Sequence, residues 1–158
     1  MKTLKKNNKG FSLVELIIVI LIMAIIAVAL APQVMKWVDE SRISADNSNR
    51  ATIKGAVDAA VADYMHNDGA LGSGFDFKIS KNKLEKKGAS NYTDVTADAA
   101  AAMTSPTDIE DYVAQVLNGQ YLGVEQEKDG YFHVVITSTG AVTVTVCDST
   151  GNLLSGND

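Results

Sequence analysis

Lys9-Gly10-Phe11-Ser12-Leu13-Val14-Glu15-Leu16 opens an apolar run that continues to Ala31. Within Phe11 to Ala31 the only polar side chains are Ser12 and Glu15. As a helix these residues span roughly 31 Å, close to the hydrocarbon thickness of a bilayer. A carboxylate at the centre of such a helix costs about 2.5 to 3.5 kcal/mol, and an ionisable group there is a functional candidate by default. Glu15 sits about one turn in, so its depth sets the actual cost. The lysines before the run, Lys2, Lys5, Lys6 and Lys9, have no acid among them. They hold that end on the cytoplasmic side.

Over residues 9 to 16 the chain resembles the processing site of type IV prepilins and pseudopilins. Gly10, Phe11, Ser12, Leu13, Val14, Glu15 and Leu16 each fit that family's pattern, as do the basic leader and Pro32 after the apolar run. The resemblance covers about residues 1 to 65 and is only architectural beyond Pro32. It implies that a separate prepilin peptidase cuts between Gly10 and Phe11 and methylates the new amine of Phe11. Gly10 and Phe11 are then substrate positions. It also implies filament assembly through Glu15. Three regions follow: a leader at 1–10, a transmembrane or filament-core helix at 11–35, and a globular α+β domain at 36–158.

A removable export signal is the rival reading, because Ala29-Leu30-Ala31 mimics a small-x-small cleavage site. Pro32 would then follow the cut, which export peptidases disfavour, and Glu15 would have no purpose. A plain uncleaved anchor leaves Glu15 equally unexplained. Pro32 lacks an N–H and its ring crowds the preceding turn, so a helix break is expected there. Trp37 falls at the expected membrane–water interface, either as an interfacial anchor or as a filament contact.

Net charge is −5 over 158 residues. Without the four leader lysines, 10 basic residues face 19 acidic ones, giving −9. Such a surface disfavours nucleic acid. Lys78, Lys81, Lys83, Lys86 and Lys87 form the remaining basic stretch, offset by Asp76 and Glu85. It reads as a solvated loop, with a weak site for an anionic partner as the alternative. A lone cysteine, Cys147, excludes an intramolecular disulfide. Many relatives staple their C-terminal region that way, so the chain departs from them here. In a strand pattern Cys147 is expected to be a small buried hydrophobe.

Helical character resumes after Pro32. Ile53, Ala56, Val57, Ala60, Val61 and Tyr64 mark one apolar face. Arg42, Asp46, Arg50, Lys54 and Asp58 are expected on the opposite face, with Asp46–Arg50 and Lys54–Asp58 as helical ion pairs. The helix should end near His66-Asn67-Asp68-Gly69. Residues 70 to 105 read as a variable connection with a short helix near 94 to 103. A further helix is expected after Ser105-Pro106-Thr107-Asp108, ending at Asn118-Gly119. Strands are expected at about 121–127, 131–138 and 141–147, with a fourth near Leu153. The predicted fold class is α+β: a long helix, apolar then amphipathic, on a small antiparallel sheet.

No catalytic signature appears. His66 and His133 have no neighbours at metal-ligand spacing. There is no phosphate-binding glycine loop, nucleophile elbow or Cys-x-x-Cys. No metal or cofactor is expected, and the chain reads as a non-enzyme. The expected function is a structural subunit of an extracellular type IV pilus. Its partners are other copies of itself, the prepilin peptidase, the assembly machinery and the membrane. It would start in the cytoplasmic membrane and end on the cell surface. A pseudopilin of a secretion or DNA-uptake machine is the alternative. A membrane-tethered sugar- or surface-binding domain is a further one, which a concave aromatic groove would favour.

Overall fold

The computed structural model describes residues 11–67, 69–103, 105–154 and 156. Gly10 and the leader lie outside them, as does Asp68 of the expected helix end. The chain divides into two compact units with a boundary after Asp39.

Helix α1 runs Leu13–His66. Pro32 lies inside it, with helical residues on both sides. The helix therefore continues past the proline, whose missing N–H leaves one carbonyl of the preceding turn without its usual donor. From 11 to 40 every residue is exposed.

Beyond the boundary, α1 becomes one side of an α+β domain. Strands β1 (Phe75–Ser80), β2 (Lys83–Lys87), β3 (Tyr92–Asp94), β4 (Tyr131–Ile136) and β5 (Val142–Cys147) form one sheet in the order β3-β2-β1-β4-β5. Every pairing is antiparallel. Helices α2 (Thr96–Ala102) and α3 (Ile109–Val116) lie between β3 and β4 in sequence. Period-2 alternation sends Phe77, Ile79, Phe132, Val134, Ile136, Val144 and Val146 to one buried face. Against it pack Ile53, Val57, Ala60 and Val61 of α1, the stripe expected from helical spacing. Tyr64 closes the end of this core, edge-on to Phe75 at 6.2 Å and to Tyr112 at 5.7 Å between centroids.

Several elements differ from expectation. The stretch 70–105 holds three strands and α2, not mainly a variable connection. The lysine-rich segment is the β1–β2 hairpin, turned by Asn82 at φ 62°. Three of its five lysines are ion-paired: Lys83 with Glu85 at 2.7 Å, Lys86 with Glu110 at 2.7 Å, and Lys87 with Asp76 at 3.0 Å. Residues 121–127 are not a strand. Their backbone is engaged by α1 instead of a ladder, as described below. The helix break expected at Pro32 is not seen either, since α1 continues through it, whereas both helix-end expectations in the domain are met. The α1 helix ends at His66, and α3 starts behind Asp108, whose N–H donates to Asp111 at 3.2 Å. Leu153 adds a single bridge to Cys147, which is buried and free.

Candidate assembly site and the domain contacts around it

The site begins where α1 begins. Ser12 precedes the first helical residue, and its N–H donates to Glu15 Oε2 at 3.3 Å. Leu16 N–H closes the first turn on Ser12 O at 3.2 Å. Glu15 thus meets one of the donors that a helix start leaves open, and its charge complements the positive end of the helix dipole. Phe11, one residue further out, is 89% exposed. From Leu13 to Leu30 a continuous apolar surface surrounds the helix, with Glu15 its only ionisable group. Among the described residues, α1 is the one helix long and apolar enough to cross a membrane. Glu15 and Pro32 therefore share one exposed helical segment, with Phe11 just ahead of it. Gly10, the other half of the expected scissile pair, lies outside the described residues.

Two clusters in the domain escaped the sequence reading. Asp46 was expected on the exposed, charged face of α1. It is fully buried. Its Oδ1 accepts from Glu125 N–H at 2.6 Å and its Oδ2 from Gln126 N–H at 3.1 Å. Asn49 Nδ2 adds a bond to Gly123 O at 3.4 Å. Helix α1 therefore fixes the irregular connection before β4, which is why 121–127 makes no strand. Lys54–Asp58 does form the expected pair, at 2.7 Å.

The second cluster lies on the outer sheet face. Asp76 Oδ1 accepts from Tyr92 Oη at 2.6 Å and lies 2.8 Å from His133 Nε2. Lys78 Nζ stands over the rings of Tyr92 and Tyr131, at 4.1 and 4.4 Å from their centroids. Partial burial raises the Asp76 pKa, but hydrogen bonds from Tyr92, Lys87 and His133 outweigh it and hold the carboxyl below its ordinary value. Burial, then the bond to Asp76, pushes the Tyr92 phenol upward. The cluster ties β1, β2, β3 and β4 side by side through one carboxylate. His133, which has no sequence neighbours at metal-ligand spacing, is part of this tie.

A third polar knot closes the end of β5. Asp148 Oδ1 accepts from Thr150 Oγ1 at 2.7 Å, Thr150 N–H at 2.9 Å and Asn152 N–H at 2.8 Å. The Thr150 hydroxyl and then the Asn152 N–H hold its carboxyl at about 2, against an ordinary 3.8. A pKa depressed by folding stabilises the fold above the unfolded value and loses that contribution as pH falls toward about 2. Between pH 4 and 2, Asp148→Asn should therefore lose thermal stability less steeply than wild type. Unfolding midpoints against pH, followed by circular dichroism, check this. Parallel curves would remove Asp148 from the acid response.

These features define a protein with an exposed apolar N-terminal helix, one carboxylate in its first turn, and an α+β domain. Residues 5–31 match the family model of the prokaryotic N-terminal methylation motif. That motif is the type IV pilin and pseudopilin prepilin signature, and over those residues the chain is similar to type IV pilins and pseudopilins. The motif indicates a structural subunit, and with the apolar helix it fits inner-membrane anchoring and prepilin processing. No curated protein and no solved structure matches the chain.

Proposed function

We propose that the chain is a structural subunit of an extracellular type IV pilus, cut after Gly10, methylated at Phe11, and assembled through α1. The carrying observation is the segment from Leu13 to Leu30, apolar and exposed throughout, with Glu15 alone charged within it. Such a surface needs either lipid or other copies of itself. In the cytoplasmic membrane, lipid covers it. In a filament, neighbouring helices cover it, and the α+β domains stand outside.

Glu15 supplies the register. Cleavage creates a positive amine at Phe11, four residues before the carboxylate. In a staggered bundle, the amine of one subunit meets Glu15 of the next. Removing one partner of a buried pair costs roughly 3 to 5 kcal/mol, so a subunit docked out of step is disfavoured. The contact is head-to-tail and does not close, which gives a fibre. Pro32 serves as the point where α1 stretches in the fibre, because one helical hydrogen bond is already missing there.

The test is a mass and a density map of filaments sheared from cells. The mass should correspond to a chain starting at Phe11 with one added methyl group. The map should place the Phe11 amine beside Glu15 of a neighbour and show extended backbone near Pro32. A chain starting at Pro32 would end the pilin reading. A processed chain found only in the cell envelope would assign it to a pseudopilin fibre. An unbroken helix through Pro32 in the filament would remove that residue's role alone.

A further inference from the structure

The connection from Leu117 to Gly130 joins α3 to β4 without regular secondary structure. Irregular connections of this length are uncommon in compact domains and are usually functional or disordered. This one is held in a defined shape. Asp46 and Asn49 fix it from α1, and Asn82 N–H bonds Tyr121 O at 3.4 Å from the β1–β2 turn. Two glycines let it close up. A Cβ at Gly123 would lie 3.0 Å from Lys81 Cβ, and one at Gly130 would lie 2.9 Å from Cys147 O. Between the connection, the hairpin turn and α1 lies a cavity of about 890 Å³.

Its lining is unusual for an acidic chain. Arg42, Lys81 and Lys128 contribute three cations, against Glu125 and Asp129. Among the described residues, no ion pair engages Lys81 or Lys128. Among the described residues, two lining residues also carry buried polar atoms without a hydrogen-bond partner: Tyr121 Oη, on a residue only 5% exposed, and Gln126 Nε2. Unpaired buried polar groups are rare and call for a partner. Ser80 and Asn82 add further hydrogen-bonding groups, and Leu122 and Val124 add apolar wall.

We infer that this cavity binds a small oxyanion, a carboxylate or phosphate, carried on a hydroxylated body such as a sugar. Lys81 and Lys128, which no ion pair engages among the described residues, supply the contacts for the anion. Charge-assisted hydrogen bonds from Arg and Lys are the stronger contacts, and the neutral amides and hydroxyls suit a polyol. The inference concerns the domain alone and does not depend on the filament reading.

The full chain, isotope-labelled in detergent micelles, is titrated with glucuronate, glucose 6-phosphate or glucose while backbone amide shifts are followed. We expect saturable shifts at Lys81, Asn82, Gln126 and Lys128 with one or both acids, and none with glucose. The response to glucuronate against glucose 6-phosphate tells a carboxylate site from a phosphate one. Lys81→Glu combined with Lys128→Glu, both at exposed positions, should weaken binding at least tenfold while the remaining amide spectrum keeps its folded pattern. No shift with either acid at ~20 mM, well above a millimolar Kd, would overturn the proposal. So would equal shifts with glucose, or binding unchanged in the double variant.

Discussion

Glu15→Ala should yield cells with normal levels of processed subunit and almost no filaments. The carboxylate lies outside the scissile pair, so cleavage should proceed. It also lies outside the α+β domain, where its one observed bond is to its own helix start at 3.3 Å. Folding should therefore be untouched. What is lost is the proposed partner for the neighbour's Phe11 amine. Roughly 3 kcal/mol or more of docking free energy goes with it, which is at least a hundredfold in subunit association. Glu15→Gln should behave alike, and Glu15→Asp should recover some filaments because its shorter reach strains the pair. Filament counts by microscopy, beside an immunoblot of processed subunit, decide the matter. Wild-type counts from fully processed Glu15→Ala would eliminate the pairing while leaving the prepilin signature intact.

Asp46→Ala should cost the domain roughly 3 kcal/mol, since hydrogen bonds to a charged group contribute about 1.5 to 3 kcal/mol and two N–H donors lose their acceptor. The loss should be concentrated in the connection before β4. Amides of Glu125 and Gln126 should exchange with solvent far faster, while those of β4 and β5 follow only the global destabilisation. Asp46→Asn should keep part of the effect, retaining one acceptor oxygen. Denaturant unfolding with residue-resolved hydrogen exchange provides the measurement. A destabilisation below about 1 kcal/mol, within the usual range for surface substitutions and single neutral bonds, would mean that the carboxylate does not fix the loop.

The two variants also mark what the sequence made legible. The apolar run with its single carboxylate stands out because both signals are local: one residue type in one long window. The stripe Ile53, Val57, Ala60, Val61 was legible for the same reason, since helical spacing is a local rule. Strands β4 and β5 announce themselves by β-branched alternation. Phe75-Asp76-Phe77-Lys78-Ile79 alternates as well, but the lysine density that follows mimics a loop. Three of those lysines are paired with Glu85, Asp76 and Glu110, and Glu110 on α3 lies outside that stretch. Asp46 was misplaced because its spacing fits the exposed face, and its true partners lie 79 and 80 residues away. His133 and Tyr92 meet Asp76 only through sheet pairing. At the site itself, the residues to test were visible in sequence, and only the bond from Ser12 to Glu15 came from the structure.

The Asp46 bonds also make the domain a mechanical coupling. Any pull along α1 beyond Glu40 reaches the 117–130 connection through a carboxylate gripping two adjacent N–H groups. With the bond from Asn49 to Gly123, these two bonds oppose any sliding of the connection along α1. Tension on the helix is thus transmitted to the side of the domain that carries the cationic cavity.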